Sequence, residues 1–351
     1  MARHRVGVSK GGQDCATPEP SPRPSPRGGG GGSKLVVLAL LLLPLSACGP
    51  QTIVIGGHPA NNRLVTTTIE DDGQFFSDRV ALIDVSGLLV NGEMPGLLSA
   101  GDNPVALFRE QLDAAAADPK VRAVVLRINS PGGAVTATDV MYRDLLRFKA
   151  TTGKPVVACM MDVAASGGYY VACGADHLIA HPTTVTGSVG VILQTVNVAQ
   201  GLAWIGVRAE AFTSGPNKDA GSPLAPMTDA HRAVLRGLVD DMYAQFVAVV
   251  RQRRPAIDPQ RFDELTDGRV LTGVDAAEAG LVDAVGDLRD ALAEARRRAG
   301  VPRADVVRFH RPLQYVGSPY AAAPSPTPAA LQWAAQAISP TDPGFDYLWR
   351  P

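Results

Sequence analysis

The stretch Asp162-Val-Ala-Ala-Ser166-Gly-Gly-Tyr-Tyr-Val-Ala-Cys173 sets a serine among small residues where a strand gives way to a helix. A serine there can be a nucleophile, because the amides of Gly167 and Gly168 can face a developing negative charge with no Cβ in the way. It can equally be a plain cap that satisfies helix N–H groups. A second stretch, Asn129-Ser-Pro-Gly-Gly133, has one φ fixed by Pro131 and two glycines that allow close backbone approach, so an N–H of Gly132 or Gly133 can be offered to an oxyanion. An ordinary Pro-Gly turn would read the same way. The third stretch is Thr213-Ser-Gly-Pro-Asn-Lys218-Asp-Ala-Gly-Ser-Pro223. Taken alone, a lysine in such a loop is a solvated surface charge.

The elements around these stretches place two of them together. Short apolar runs predict strands over 80–85, 121–128, 155–160, 177–180 and 208–212, and helical spacing predicts helices over 104–117, 136–149 and 197–205. Strand, glycine turn and helix, repeated, is the βαβ rhythm of an α/β protein with a parallel sheet, whose functional groups gather at strand carboxyl ends. The Gly132 and Ser166 stretches then share one edge, which is where a nucleophile and oxyanion donors must converge. Further on, Met227-Thr228 opens a long helix with Ala230, Val234, Leu235, Leu238, Met242, Phe246 and Val249 at three- and four-residue steps, a face for core or subunit packing. A strand-turn-helix-strand unit over 267–283 and a helix over 288–299 follow.

Composition narrows the function classes. The chain has 351 residues, 46% hydrophobic and 19% charged, with a formal net charge of −1, a balance that gives no reason to expect a nucleic-acid partner. Its cysteines are Cys15, Cys48, Cys159 and Cys173, with no CxxC pair and no histidine cluster at ligand spacing. No metal, disulfide framework or other cofactor is expected, and Cys159 and Cys173 read as buried free thiols.

Residues 1–34 are basic and rich in Pro, Ser and Gly, and cannot build a core. Lys34-Leu-Val-Val-Leu-Ala-Leu-Leu-Leu-Leu-Pro-Leu45-Ser-Ala-Cys48 then has a basic flank, an apolar run and small residues, the layout of a secretory signal. As a helix the run is about 20 Å long, short of the ~30 Å hydrocarbon core, so a cleaved signal is favoured over an uncleaved anchor. Leu45-Ser-Ala-Cys48 resembles the bacterial lipoprotein signal, in which the cysteine is lipidated and becomes the new N-terminus, which implies a lipid anchor at Cys48 and an extracytoplasmic domain at the membrane surface. The chain thus divides into a leader (1–48), a polar tether (49–78), a catalytic domain (79–300) and a Pro/Ala-rich tail (301–351).

In order and at fitting spacing, Asn129-Ser-Pro-Gly-Gly133, Ala165-Ser-Gly-Gly-Tyr-Tyr170, Thr186-Gly-Ser-Val-Gly190, Ser214-Gly-Pro-Asn-Lys-Asp219 and Asp267-Gly-Arg-Val270 resemble the signal peptide peptidase A family. These are serine proteases that degrade cleaved signal peptides at bacterial membranes. The resemblance covers roughly 79–300 and implies a ClpP/crotonase-like fold, a repeated ββα superhelix with a long C-terminal helical segment. It puts the nucleophile on Ser166, the general base on Lys218, oxyanion N–H groups on Gly132, Gly133 and Gly167, and a supporting hydroxyl on Ser188. It also implies that half-length members complete the site with the lysine loop of a neighbouring subunit, hence a homo-oligomer. Chemistry makes the same demand, since a lysine amine titrates near pH 10.4 and serves as a base at neutral pH only where burial favours its uncharged form, at about 4 kcal/mol for a fall to near 7. Gly49, where an acidic residue would favour inner-membrane retention, leaves the choice of membrane open.

Three rivals remain. His181 lies downstream of Ser166 and could make a Ser-His-Asp triad, but no Asp is placed to orient it. A crotonase-type acyl-CoA hydratase or isomerase would share the fold and the oxyanion turns, and an inactive membrane scaffold would keep the fold alone. Secretion argues against the acyl-CoA enzyme, and the joint presence of Ser166 and Lys218 against both it and the scaffold.

Overall fold

A computed structural model describes residues 63–73, 77–92, 102–312, 314 and 316–320, and the backbone of 346–348. The leader, Cys48 and the start of the tether lie outside the described residues. Along the chain the strands are β1 (Val65–Glu70), β2 (Arg79–Leu89), β3 (Val121–Ala134), β4 (Val156–Ala165), β5 (His177–Ala180), β6 (Val185–Gly187), β7 (Val270–Thr272), β8 (Ala284–Val285), β9 (Asp305–His310) and β10 (Asp346–Leu348). The helices are α1 (Pro104–Ala117), α2 (Val135–Thr152), α3 (Gly167–Ala172), α4 (Ala199–Trp204), α5 (Asp229–Arg253), α6 (Phe262–Leu265), α7 (Gly273–Glu278) and α8 (Leu288–Ala299).

The main sheet runs β1-β9-β2-β3-β4-β5-β8. It is parallel from β9 to β8, with β1 antiparallel on its edge. The central strands are continuous apolar runs because both their faces are covered. In β2, Ala81, Ile83 and Val85 enter the larger core layer while Val80 and Leu82 enter the other; β3 splits Val124, Leu126 and Ile128 from Ala123 and Val125 in the same way. Phe108 and Leu112 of α1 and Met141 and Leu145 of α2 close the first layer. Leu288, Ala291, Leu292 and Ala295 of α8 close the second. Each of the fully buried Val, Leu, Ile, Phe and Met side chains among these contributes about 1.5–3 kcal/mol, the alanines less.

Local chemistry sets the boundaries of these helices. Asn103 accepts the amides of Val105 and Ala106 with Pro104 at the first helical position, so α1 begins where the sequence predicts. Asp287 and Asp290 form a reciprocal capping box on α8, and Gly300, at φ 67°, ends it.

Several expectations need correction. Asn129–Gly133 is extended strand rather than a turn: β3 continues to Ala134, and its register against β2 shifts between Ser86 and Leu88, where Gly87 has φ 69°. Residues 208–212 form no strand, because within this chain they find no ladder partner and lie exposed. The tether is shorter than 49–78, since β1 pairs with β9, and β9 itself falls in the stretch assigned to the tail. The sheet therefore recruits residues on both sides of 79–300. On α5, Val234 and Leu238 are exposed while Phe246 and Val250 are buried, so the long helix packs on the core only through its second half. Among the described residues no helix is long and apolar enough to cross a membrane.

Candidate active site

Ser166 follows the last residue of β4 and precedes α3 with φ 52° and ψ −116°. That region is sparsely populated for a residue with a Cβ and costs on the order of 1–3 kcal/mol, so the surroundings must enforce it. They do so through backbone and packing. The Ser166 amide donates to the Gly187 carbonyl at 2.8 Å, and its own carbonyl accepts from the Tyr170 amide at 2.9 Å. Behind it, Tyr169 is fully buried and donates its hydroxyl to the Leu281 carbonyl at 2.8 Å. Tyr170 meets Tyr142 and Phe246 edge-on at 5.1 and 5.0 Å and donates to Asp139 at 3.0 Å. The serine is 1% exposed in the single chain.

Ser188 is its structural twin. β6 lies parallel to β4 with Ala165 opposite Gly187, so Ser166 and Ser188 leave neighbouring strand ends one residue later. Ser188 has φ 50°, and among the described residues these two serines are the only non-glycine positions with positive φ. The Ser188 amide donates to the Arg269 carbonyl at 2.6 Å, which ties the bend to the Asp267–Val270 stretch. Below it the buried Thr184 and Thr186 hydroxyls donate to the Met160, Met161 and Ala164 carbonyls, fixing β6 against β4.

The glycines stand where the backbone needs them. A Cβ on Gly133 would lie 2.1 Å from the Leu89 carbonyl oxygen, and one on Gly168 would lie 2.6 Å from the Ser130 carbonyl oxygen. The end of β3 and the start of α3 are thus packed backbone to backbone. Gly132, at φ 106°, donates its amide to Ser130 Oγ at 3.1 Å, and Ser130 Oγ donates in turn to the Gly87 carbonyl at 2.6 Å. Gly132 therefore shapes the irregular end of β3, and its N–H is already engaged. Gly167, first in its helix, has no intrahelical acceptor behind its N–H. Ser130 was invisible as a contributor in the sequence, where it read only as part of a Pro-Gly turn.

Lys218 is elsewhere. It is exposed, and its Nζ makes no hydrogen bond or ion pair among the described residues. Its loop is nonetheless ordered locally: the Lys218 amide donates to Gly215, and Ser222 to Asp219. The buried His231 near the start of α5 anchors this loop, with Nε2 2.7 Å from the Pro216 carbonyl and 3.5 Å from Asp219 Oδ1, flanking Lys218 on both sides. Nothing in the sequence singled out His231 beyond its place three residues after the capping Thr228. The single chain brings Ser166, Ser188, Gly132, Gly133 and Gly167 together and leaves Lys218 apart from them. His181 is exposed too, with Nδ1 2.8 Å from Thr183 Oγ1 and no carboxylate paired with it among the described residues.

Cys159 and Cys173 are buried free thiols. Burial is the largest influence on each and pushes both up to about 12, so they are unreactive at neutral pH.

Comparison with known proteins sets this geometry in context. The sequence profile of peptidase family S49 matches residues 149–302, which takes in Ser166, Ser188 and Lys218. Protease 4 of Salmonella typhi is 36% identical over 221 residues, covering 63% of this chain and 34% of that protein. The chloroplastic serine protease SPPA of Arabidopsis thaliana is 32% identical over 243 residues, covering 67% of this chain and 35% of its own length. The chain thus spans about a third of these two relatives. An Enterococcus faecium protein named "Putative signal peptide peptidase SppA" is 30% identical over 249 residues, and here the match covers 71% of both chains. A mixed α/β sheet of ClpP/crotonase-like kind, a strained serine at a strand end and this breadth of similarity lead to one assignment: the chain belongs to peptidase family S49.

Proposed function

We propose that this protein is a membrane-associated serine endopeptidase that cleaves apolar peptides, released signal peptides foremost, with Ser166 as nucleophile and Lys218 as general base. The observation that carries the reading is the paired strain at Ser166 and Ser188, two serines at left-handed φ on adjacent strand ends beside the Gly133 and Gly167 amides. Strain of this kind persists where the surroundings over-determine it, and it clusters at reactive sites.

The chemistry runs in two halves. The uncharged Lys218 amine takes the proton of Ser166 Oγ as that oxygen attacks the peptide carbonyl carbon, and the oxyanion is met by the Gly133 and Gly167 N–H groups. The protonated lysine then gives its proton to the departing amine as the C–N bond breaks, leaving an ester on Ser166. A water, deprotonated by the same amine, hydrolyses the ester and returns the serine. Ser188 Oγ supports the amine as an acceptor. A second copy of the chain supplies the lysine, since in one chain Lys218 is exposed and its Nζ has no hydrogen-bond partner among the described residues. The same segment presents Trp204 at 81% and Phe212 at 94% exposure, the kind of apolar surface that a neighbouring copy covers. Lipidation at Cys48 would hold the assembly on the extracytoplasmic face of the membrane.

A fluorophosphonate probe tests the dyad. The wild-type chain is expected to label, Ser166→Ala to label not at all, and Lys218→Ala to label and turn over more than about 10³-fold more slowly. Undiminished labelling of Ser166→Ala would refute the nucleophile. Turnover kept in Lys218→Ala but lost in His181→Ala would move the base to the histidine.

A further inference from the structure

Helix α5 joins the nucleophile's surroundings to the lysine loop. Tyr170, in the helix that begins after Ser166, packs edge-on against Phe246 of α5 at 5.0 Å. This half of α5 is fastened to the body, with Phe246 and Val250 buried, the Tyr243 hydroxyl donating to the Thr266 carbonyl at 2.7 Å and Arg253 donating to the Tyr142 hydroxyl at 3.0 Å. At 1.5 Å of rise per residue, the helix carries His231 in its first turn about 22 Å from Phe246. Thr228 caps that turn by accepting the His231 amide at 3.1 Å, which fixes the backbone from which the imidazole projects.

The ring is buried against the lysine loop, with Nε2 2.7 Å from the Pro216 carbonyl oxygen and 3.5 Å from Asp219 Oδ1. A carbonyl oxygen only accepts, so Nε2 carries the hydrogen in this contact. One N–H thus holds the chain two residues before Lys218 and faces the residue after it. The loop's own bonds around the lysine are longer, 3.2 Å from the Lys218 amide to Gly215 and 3.3 Å from the Ala220 amide to Asn217, at the weak end of the N–H···O range. The imidazole is therefore the firmest polar anchor of the 216–219 turn.

We propose that His231 is the positioning residue of the general base: its buried N–H fixes the 216–219 turn on the first turn of α5 and so sets where the Lys218 amine is presented to a serine. The role given to Lys218 rests on the dyad reading above, while the anchoring can be measured without it. A lysine amine on its flexible four-carbon stem meets a serine productively only when its backbone is held, and a misplacement of about 1 Å costs about 10²-fold in rate.

The test puts two amides in place of the imidazole in the full chain. His231→Gln carries its NH2 group about where Nε2 stands and His231→Asn about where Nδ1 stands, so only the first reaches Pro216. Both lose the ring, so a difference between them reports the contact and not the loss of the ring. With a reporter peptide, His231→Asn is expected to lower kcat about 10²-fold with KM changed less than about twofold, and His231→Gln to stay within about threefold of wild type. In the Ser166→Ala background, where no turnover intervenes, amide exchange at Lys218, Ala220 and Ser222 is expected to be about tenfold faster with His231→Asn and unchanged with His231→Gln. Exchange that ignores both substitutions would overturn the proposal, as would a kcat that falls alike in the two variants or in neither. The expected exchange pattern in a protein whose wild type shows no turnover would uphold the anchored loop and count against the peptidase reading instead.

Discussion

The two halves of the candidate dyad lie in regions built to opposite rules. Ser166 sits at the end of a buried parallel strand, its backbone held by β6 and its helix clamped by Tyr169 and Tyr170. Lys218 sits in a segment, 192–227, that carries Ile192, Val196, Trp204, Ile205, Phe212 and Leu224 into solvent and is hydrogen-bonded to His231 of α5 through the Pro216 carbonyl. The first region can store strain, because a close-packed interior does not yield. The second stores nothing in one chain. Under the proposed mechanism, preorganisation of the nucleophile would be a property of the fold, and activation of the base a property of assembly.

The sharpest way to break this comparison is to mix two dead proteins. Ser166→Ala and Lys218→Ala, each inactive alone by more than about 10³-fold, are expected to regain activity when co-assembled, because one intact serine can then meet one intact lysine. Peptide turnover of the mixture measures it. Lack of recovery in a mixture shown by native mass spectrometry to contain both chains would place the base within the same chain.

Stability separates the regions next. Asp283 accepts two hydrogen bonds from Arg254 at 2.9 and 3.0 Å and one from the Leu178 amide at 2.8 Å, next to the Leu281 carbonyl that anchors Tyr169. Burial acts to raise its carboxyl, but these hydrogen bonds outweigh it and hold it below the usual range. Asp283→Ala leaves the buried Arg254 uncompensated and is expected to cost about 3 kcal/mol in urea unfolding. Phe212→Ala, in the arm, is expected to change the stability of the single chain by less than about 0.5 kcal/mol, while weakening association in sedimentation. Equal effects of the two substitutions would erase the distinction.

The smallest expected effect lies on the back of the sheet. Glu294 accepts hydrogen bonds from Arg297 and Arg298, and the Arg297 bond is the largest influence holding its carboxyl down at about 2. A carboxyl depressed on folding stabilises above its unfolded value, near 4.5, and loses that contribution as pH falls through about 2. With solvent screening, Glu294→Gln is expected to cost no more than about 0.5 kcal/mol at pH 6 and nothing at pH 2. A urea midpoint difference that persisted at pH 2 would refute this account.

Much of the fold could be read before any coordinates. The apolar runs at 80–85, 121–128 and 155–160 gave strands, and the patterns over 104–117 and 288–299 gave helices that start at the right residues, because these signals are local. Residues 129–133 misled, since Pro and Gly mark a turn locally while Leu88 and Leu89, about 44 positions earlier, hold the backbone extended. Residues 208–212 misled in the opposite direction, for an apolar run is a strand only where a neighbour offers a ladder. Nor could any local pattern show that residues 346–348 lie against Gly132 and Gly133, more than 200 positions away.

By itself the sequence determined which atoms are available: a hydroxyl at 166, an amine at 218, amides left bare by glycine at 133 and 167, and the apolar periodicity that drives a parallel sheet to form. Tertiary structure alone decided which of them meet. It set Ser188 beside Ser166 through the pairing of β4 with β6, engaged the Gly132 amide with Ser130, and left Lys218 in water. The physical reason is that residue type fixes what a group can donate or accept, whereas distance, desolvation and backbone strain exist only once remote segments are packed together.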